Sequence, residues 1–572
     1  MLQMRMLFSL SSAALPLALA GQAVQAAPPP AGPSAAAPVG VQLRATTSNP
    51  SISTFAPGQP VSLRFAVTGL KPGAATTLAV TITDDRQVTV LSKSVKVTAD
   101  ASGAAQVALD APHGRLGYYE VAARLADGTA IAAEGTRPAG ITSYAVVPDP
   151  AGRTDYGPDS SHFAMQGGFS SKAQIVPLLG LRYYLDRVQW HWMEEKAPGN
   201  FAKAWDSERA RNGNKPWPKG LDQDMAPSWQ GKPWAMYPIA AAMGSGVPDW
   251  ALVPGTGGKI CKTYGRLNAQ GKAALPVYAA ALARAFAHDY PTMHKRIYQM
   301  AWEPGQGWCF GGTNEDLIEY FRLTYDAIHA ADPDAVVAGP TLFPSSNYDD
   351  QLRGLWAGGL GRYIDAYSIH PYSPGDPPET HGLAEHLRTQ IAAAERSGGH
   401  PIGLVGTEHG SETSRSGNRG QARENIRVTL IMLGEGASVD TAFYVADFWG
   451  PGGPRSKDVQ THGFYWNLND RLAFGTDRIA PKMSVPAYAA MTRLLDGTTT
   501  RGPLSGLLPT QRGYRFVRGG TTIDVVWDYA GTSSRAVPRG AQVCDWMGNC
   551  RAGSATPAKV DGQPVYIVTG PV

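Results

Sequence analysis

The sequence predicts an α/β protein: a (β/α)8 TIM barrel with an N-terminal β-sandwich before it and a small C-terminal β-domain after it. Three observations predict this. From Ser161 to about Gly497, eight short apolar strand candidates alternate with segments of helical spacing, the grammar of a barrel. Before that stretch, apolar residues recur at every second position, and after Leu504 the same pattern returns. No Gly-rich phosphate fingerprint follows the first strand, which weighs against a doubly wound dinucleotide fold.

The N-terminus reads as a signal peptide over residues 1–26: Arg5 precedes an apolar run from Met6 to Ala20, and Val24-Gln25-Ala26 supplies a small-residue cleavage site. A retained signal anchor is the alternative. A Pro/Ala-rich linker follows over 27–40, and no other segment approaches the ~20 uncharged apolar residues that span a bilayer. The chain is therefore expected to be secreted or periplasmic, with no membrane span once the signal is removed.

Over 41–147 the runs Val61–Val67, Thr77–Ile82 and Tyr118–Ala123 alternate with period two between Pro/Gly turns such as Pro57-Gly58. This is the pattern of an Ig-like β-sandwich, and no cluster of His, Cys and acids gives it chemistry. The barrel is placed at 155–500. Its strands are read at Phe163–Gln166, Tyr184–Gln189, Ala235–Ala240, the run from Tyr298 towards Glu303, Ala335–Gly339, Ile364–His370, the run before Glu408, and Thr441–Ala446. Helices are read at Leu275–Tyr290, Glu315–Ala330, Glu385–Arg396, Arg423–Gly434 and Val485–Leu495. The C-terminal β-domain covers 501–572, with strands at Tyr514–Val517, Thr522–Trp527, Gln542–Trp546 and Val565–Val568.

Composition narrows the function. With 43% apolar and 17% charged residues and a net charge of +4 over 572 residues, there is no basic stripe for nucleic acid. The 14 Trp and 23 Tyr concentrate after residue 183, which suggests an aromatic-lined cleft, although core filling accounts equally well for any one Trp. Four cysteines in an exported chain favour disulfides. Cys544 and Cys550 enclose a short loop and are expected to bond to each other, leaving Cys261 with Cys309 to join two loops. Their spacing does not suit zinc, and neither a metal nor another cofactor is expected.

Two apolar runs end in a carboxylate inside a turn: Tyr298-Gln-Met-Ala-Trp-Glu303-Pro-Gly and Ile402-Gly-Leu-Val-Gly-Thr-Glu408-His-Gly. Counting strands puts Glu303 after the fourth and Glu408 after the seventh, across the barrel mouth from each other. Paired carboxyls about 5–5.5 Å apart cleave a glycosidic bond with retention, and a gap of about 6.5–9.5 Å gives inversion.

This layout resembles the retaining glycoside hydrolases of the (β/α)8 clan with catalytic Glu residues on strands four and seven. Within that clan it is most similar to the xylosidase/iduronidase-type family and its bacterial exopolysaccharide-hydrolysing members. Arg187, with Trp192-Met-Glu-Glu195 and Gly199-Asn-Phe201 after it, resembles the family's second strand and loop. His370-Pro371-Tyr372 resembles its sixth-strand motif. The resemblance implies that Glu303 is the acid/base and Glu408 the nucleophile, supported by Arg187. It also implies that His370 and Tyr372 line the site near the nucleophile, with Trp449 as an aromatic platform under the sugar. One departure stands out: Trp302 occupies the place where the clan has an Asn that contacts the sugar 2-hydroxyl. Trp has one donor and no acceptor, so Trp302 cannot reproduce that contact.

The expected activity is hydrolysis of O-glycosidic bonds in a polysaccharide or oligosaccharide by double displacement. The alternative is a non-catalytic carbohydrate-binding barrel. An exported esterase finds no Gly-x-Ser-x-Gly turn to support it. Glu412 competes with Glu408 for the nucleophile's role, and Glu194 reads as a loop anchor. Trp190, Trp234, Trp250 and Trp308 read equally as sugar platforms or as core.

Overall fold

The computed structural model describes residues 40–167, 174–186, 188–211, 228–229, 232–234, 236–241, 246–344, 346–372, 375–449, 459–469, 478–554 and 556–570. The signal-peptide segment, nearly all of the linker, and Arg187 lie outside the described residues.

Strict alternation in the first hundred described residues produces two facing sheets. Val61–Thr68 alternates buried and outward positions along its whole length, as a strand with one face on a core must. It pairs with Gln42–Thr47 on one side and Ala105–Ala111 on the other. The second sheet runs in the order Thr54–Phe55, Ile141–Val146, Gly117–Leu125, Ala75–Asp84, Thr89–Thr98. Leu43, Phe65, Leu78, Val121 and Tyr144 close a single core between them.

Eight parallel strands then close a barrel in chain order: Phe163–Met165, Tyr183–Asp186, Tyr237–Ala241, Arg296–Gln299, Ala335–Leu342, Ala366–Ile369, Gly403–His409 and Ala437–Ala442. The last pairs with the first from Asp440 opposite Phe163 to Ala442 opposite Met165. Inward-pointing Ala164, Ile239, Ile297, Ala338, Val405 and Val439 fill the bore, so the barrel is a packed core open to chemistry only at its ends. The outer helices include Ala269–Asp289, Asn314–Ala331, Leu383–Gly398, Thr413–Gly434 and Ser484–Leu495. Among the described residues no helix is long and apolar enough to cross a membrane.

Two strands differ most from the sequence reading. The fourth stops at Gln299, and Met300 to Gly305 is buried loop rather than strand. Apolarity there reflects a loop folded into the barrel mouth. The eighth is Ala437–Ala442 rather than Thr441–Ala446, because Asp440 sits under His409 and a buried acid disguises the strand's pattern.

After the barrel, a six-stranded sheet runs in the order Thr499–Pro503, Gln511–Arg518, Thr521–Asp528, Val565–Thr569, Gln542–Cys544, Cys550–Ala552. Tyr514 packs on Gly434 so closely that an added Cβ there would meet its ring at 2.2 Å. Both disulfides, Cys261–Cys309 and Cys544–Cys550, form as the spacing predicts.

Candidate active site

The site forms where strands one, four, six and seven end. Glu303 is 1% exposed, and its backbone sits at φ 45°, a left-handed conformation rare for a residue with a Cβ. The loop is pinned from the next βα unit: the Gln351 side chain donates to the Pro304 carbonyl at 2.9 Å and accepts from the Gln306 amide at 3.1 Å. On the other side, the Cys261–Cys309 bond ties it to the loop after strand three.

Burial pushes the Glu303 carboxyl up to about 7, and the nearby Glu408 carboxylate adds to the rise. His370 opposes it, with Nδ1 2.8 Å from Glu303 Oε1. The second nitrogen of His370 lies 3.1 Å from Thr407 Oγ1, which lies 3.0 Å from Ser368 Oγ. Oε2 of Glu303 is buried without a hydrogen-bond partner among the described residues. The Trp308 indole N–H is near enough to favour the charged carboxylate, yet it too completes no hydrogen bond among the described residues.

Glu408 is held differently. The Tyr372 hydroxyl donates to its Oε1 at 2.6 Å and the Gln166 amide to its Oε2 at 2.7 Å. Burial and the Glu408 charge push the Tyr372 phenol well above its usual value, so it stays a donor. Among the described residues, two donors on Glu408, against an oxygen without a partner on Glu303, make the two acids unlike. One oxygen of each carboxyl and a nitrogen of His370 all lie within 4.8 Å of one another.

That trio is also the group among the described residues close enough to hold a metal ion. Both His370 nitrogens are already in hydrogen bonds, so a cation bound by the imidazole would have to displace its contact with Glu303 or with Thr407.

Other sequence candidates separate clearly. His370 lies near both carboxyls and hydrogen-bonds Glu303, while Tyr372 hydrogen-bonds Glu408. Trp302 is half-buried against the core. Half-buried Trp449 donates its indole N–H to the Asn469 carbonyl at 3.3 Å. His409 turns out of the bore to Asp440 Oδ2, 2.8 Å away. Glu412 is tied to Arg415 at 2.9 Å. Glu194 accepts from the Gly199 and Phe201 amides, the loop-anchoring role read for it. Trp190 and Trp234 are core, the latter under the Arg182 guanidinium at 3.3 Å.

Gln166, Thr407 and His462 were not singled out from the sequence. Gln166 carried a usable signal, a polar residue closing an otherwise apolar first strand. His462 did not, because it arrives from a loop distant in sequence. Its ring lies 5.8 Å from that of Tyr372, and burial beside Lys482 and Arg415 holds it neutral, pushed down to about 3.

No protein-family model matches the sequence, and no curated protein matches it. Among solved structures, the chain is similar to a family 39 glycoside hydrolase from the gut symbiont Bacteroides cellulosilyticus WH2, with 15% identity and a TM-score of 0.57 over 93% of this chain and 100% of that one. It also matches a GH30 endoxylanase from Clostridium papyrosolvens C71 at 12% identity and TM-score 0.45, over 73% of this chain and 98% of that one. A third match is a β-glucuronidase from Bifidobacterium dentium at 12% identity and TM-score 0.34, over 79% and 66% of the two chains. The likeness to the first is one of fold: a parallel (β/α)8 barrel flanked by β-sheets.

Proposed function

We propose that this chain is an exported glycoside hydrolase that cleaves the O-glycosidic bonds of a polysaccharide or oligosaccharide with retention. The observation that carries the reading is the close approach of two unlike carboxyls, with one oxygen of each inside 4.8 Å. Retention needs such a pair about 5–5.5 Å apart, and inversion needs room for a water between them. The fold likeness to a glycoside hydrolase supports the same reading.

In the first step Glu408, ionised and oriented by Tyr372 and Gln166, attacks the anomeric carbon. Glu303, protonated, gives its proton to the departing oxygen, and the bond from the anomeric carbon to that oxygen breaks. In the second step Glu303, now a carboxylate, takes a proton from water, which displaces Glu408 and restores the original configuration. A Glu303 carboxyl near 7 suits both roles, since it gives up and regains a proton at modest cost near neutrality. Secretion agrees with the two disulfides and with the sequence of the first 26 residues.

The test uses an aryl glycoside panel. Glu408→Ala is expected to abolish turnover, and added azide to restore it as a glycosyl azide of inverted configuration. The inverted azide appearing from Glu303→Ala instead would exchange the two roles. Saccharide binding without any release would make the chain a carbohydrate-binding barrel. Loss of wild-type activity in chelator would assign the Glu303–His370–Glu408 trio to a metal.

A further inference from the structure

Among its contacts with the rest of the chain, the N-terminal sandwich sends one turn to the segment after barrel strand eight. Glu134 to Arg137 leaves the sandwich and docks on the segment after barrel strand eight, the segment that carries Trp449. Gly135 is at φ 55° and lies so close to the Asn467 carbonyl that an added Cβ would sit 1.9 Å from its oxygen. The Thr136 amide donates to that same carbonyl at 2.8 Å.

The Thr136 hydroxyl is fully used. It donates to Asp447 Oδ2 at 2.9 Å and accepts from the Asn467 amide at 3.0 Å. Two short paths run from there to Trp449. Asp447 stands two residues before it, with its other oxygen bound to Lys482 Nζ at 2.6 Å and to the Gly463 amide at 2.9 Å, both side chains fully buried. The Asn467 side chain accepts from the Asn469 amide at 2.9 Å, and the Asn469 carbonyl receives the Trp449 indole N–H. One hydroxyl from the sandwich thus fixes both the backbone before Trp449 and the acceptor of its ring.

We infer that Thr136 is a positioning residue for Trp449: the sandwich turn sets the place and tilt of the indole that the glycoside hydrolase reading takes as a platform under the sugar. This rests on reading the mouth as a glycoside hydrolase site. The sandwich is then a working part of the site and not a spacer.

Thr136→Val keeps the shape and removes the hydroxyl, and with it the hydrogen bond from the Asn467 amide and the one to Asp447. On an aryl glycoside turned over by the wild-type chain, KM is expected to rise about fivefold with kcat within about twofold, the size of one lost hydrogen-bond network acting on binding. Thr136→Ser restores KM. In a Trp449→Ala background, Thr136→Val adds no further KM change, because its target is gone. An unchanged KM, a fall in kcat matching loss of folded protein, or full additivity with Trp449→Ala would each overturn the assignment.

A substrate-free arm separates this inference from the reading it rests on. Amide hydrogen exchange at Asn467 and Gly463 is expected to quicken about tenfold in Thr136→Val and not in Thr136→Ser. Exchange unchanged in the valine variant refutes the positioning even if no substrate is ever turned over. If the wild-type chain hydrolyses nothing while exchange responds as expected, the proposed activity fails and the docking stands.

Discussion

At Glu303, two properties coincide in one residue: a left-handed backbone and a carboxyl lifted to about 7. The first has a steric cost, which the Gln351 clamp on the next residues offsets. The second has a consequence for stability. A carboxyl whose folded value exceeds its unfolded value near 4.5 stabilises the fold most below that unfolded value, and the contribution is lost as pH rises through about 7. The size is on the order of 3 kcal/mol. Glu303→Gln is therefore expected to flatten the fall in melting temperature between pH 4.5 and 7, measured as the difference from wild type, since Asp85, pushed up by burial to about 6, also titrates there. An identical slope in the variant would assign the titration elsewhere. In the same residue the alkaline limb of kcat/KM is expected near pH 7, where the general acid loses its proton. Tyr372→Phe removes a donor from the Glu408 carboxylate, a hydrogen bond worth about 1.5–3 kcal/mol, so kcat/KM should drop about 10- to 100-fold with the fold intact. A change below threefold would mean that the other donors to Glu408, Gln166 among them, suffice.

The loop after strand four is the element on which the site depends. Gly305 lies under the Tyr348 ring, and an added Cβ would sit 2.4 Å from it. Gly305→Ala must push either the loop or the ring, and kcat is expected to fall about tenfold as Glu303 shifts. Tyr348→Ala in the same chain should recover most of that loss, because the ring is the obstacle. No recovery would place the damage in the backbone of the turn itself. This element also explains a misreading. Its apolar sequence resembled a strand continuing to Glu303, yet only Arg296–Gln299 pairs, and the buried residues beyond it line a mouth. In strand eight the reverse occurred: Asp440 broke the alternation although it is buried in the barrel wall, its Oδ2 held by His409.

Across the whole molecule, two disulfides close loops of very different length, with sequence separations of 48 and 6. On the chain-entropy account, removing Cys261–Cys309 by paired Ser substitutions costs about 4 kcal/mol, and removing Cys544–Cys550 about 2 kcal/mol. Denaturant midpoints check this order, and a reversed order would place the stabilisation in native contacts. Cys261–Cys309 also tethers the loop of Trp308 and Glu303, so its loss should lower kcat, while loss of Cys544–Cys550 should not.

The sequence by itself determined the strand count, the two flanking β-regions, both disulfide pairs, and the two glutamates that close on each other at the barrel mouth. These follow from periodicity and from residues placed at element ends, which are local properties of a chain. Tertiary structure decided what each glutamate touches. It gave His370 to Glu303, Gln166 to Glu408, and His409 to Asp440 outside the bore. It also carried Thr136 from the sandwich to Asp447, 311 positions away in sequence. Such pairings depend on which strand ends meet around a closed barrel, and no local pattern records that.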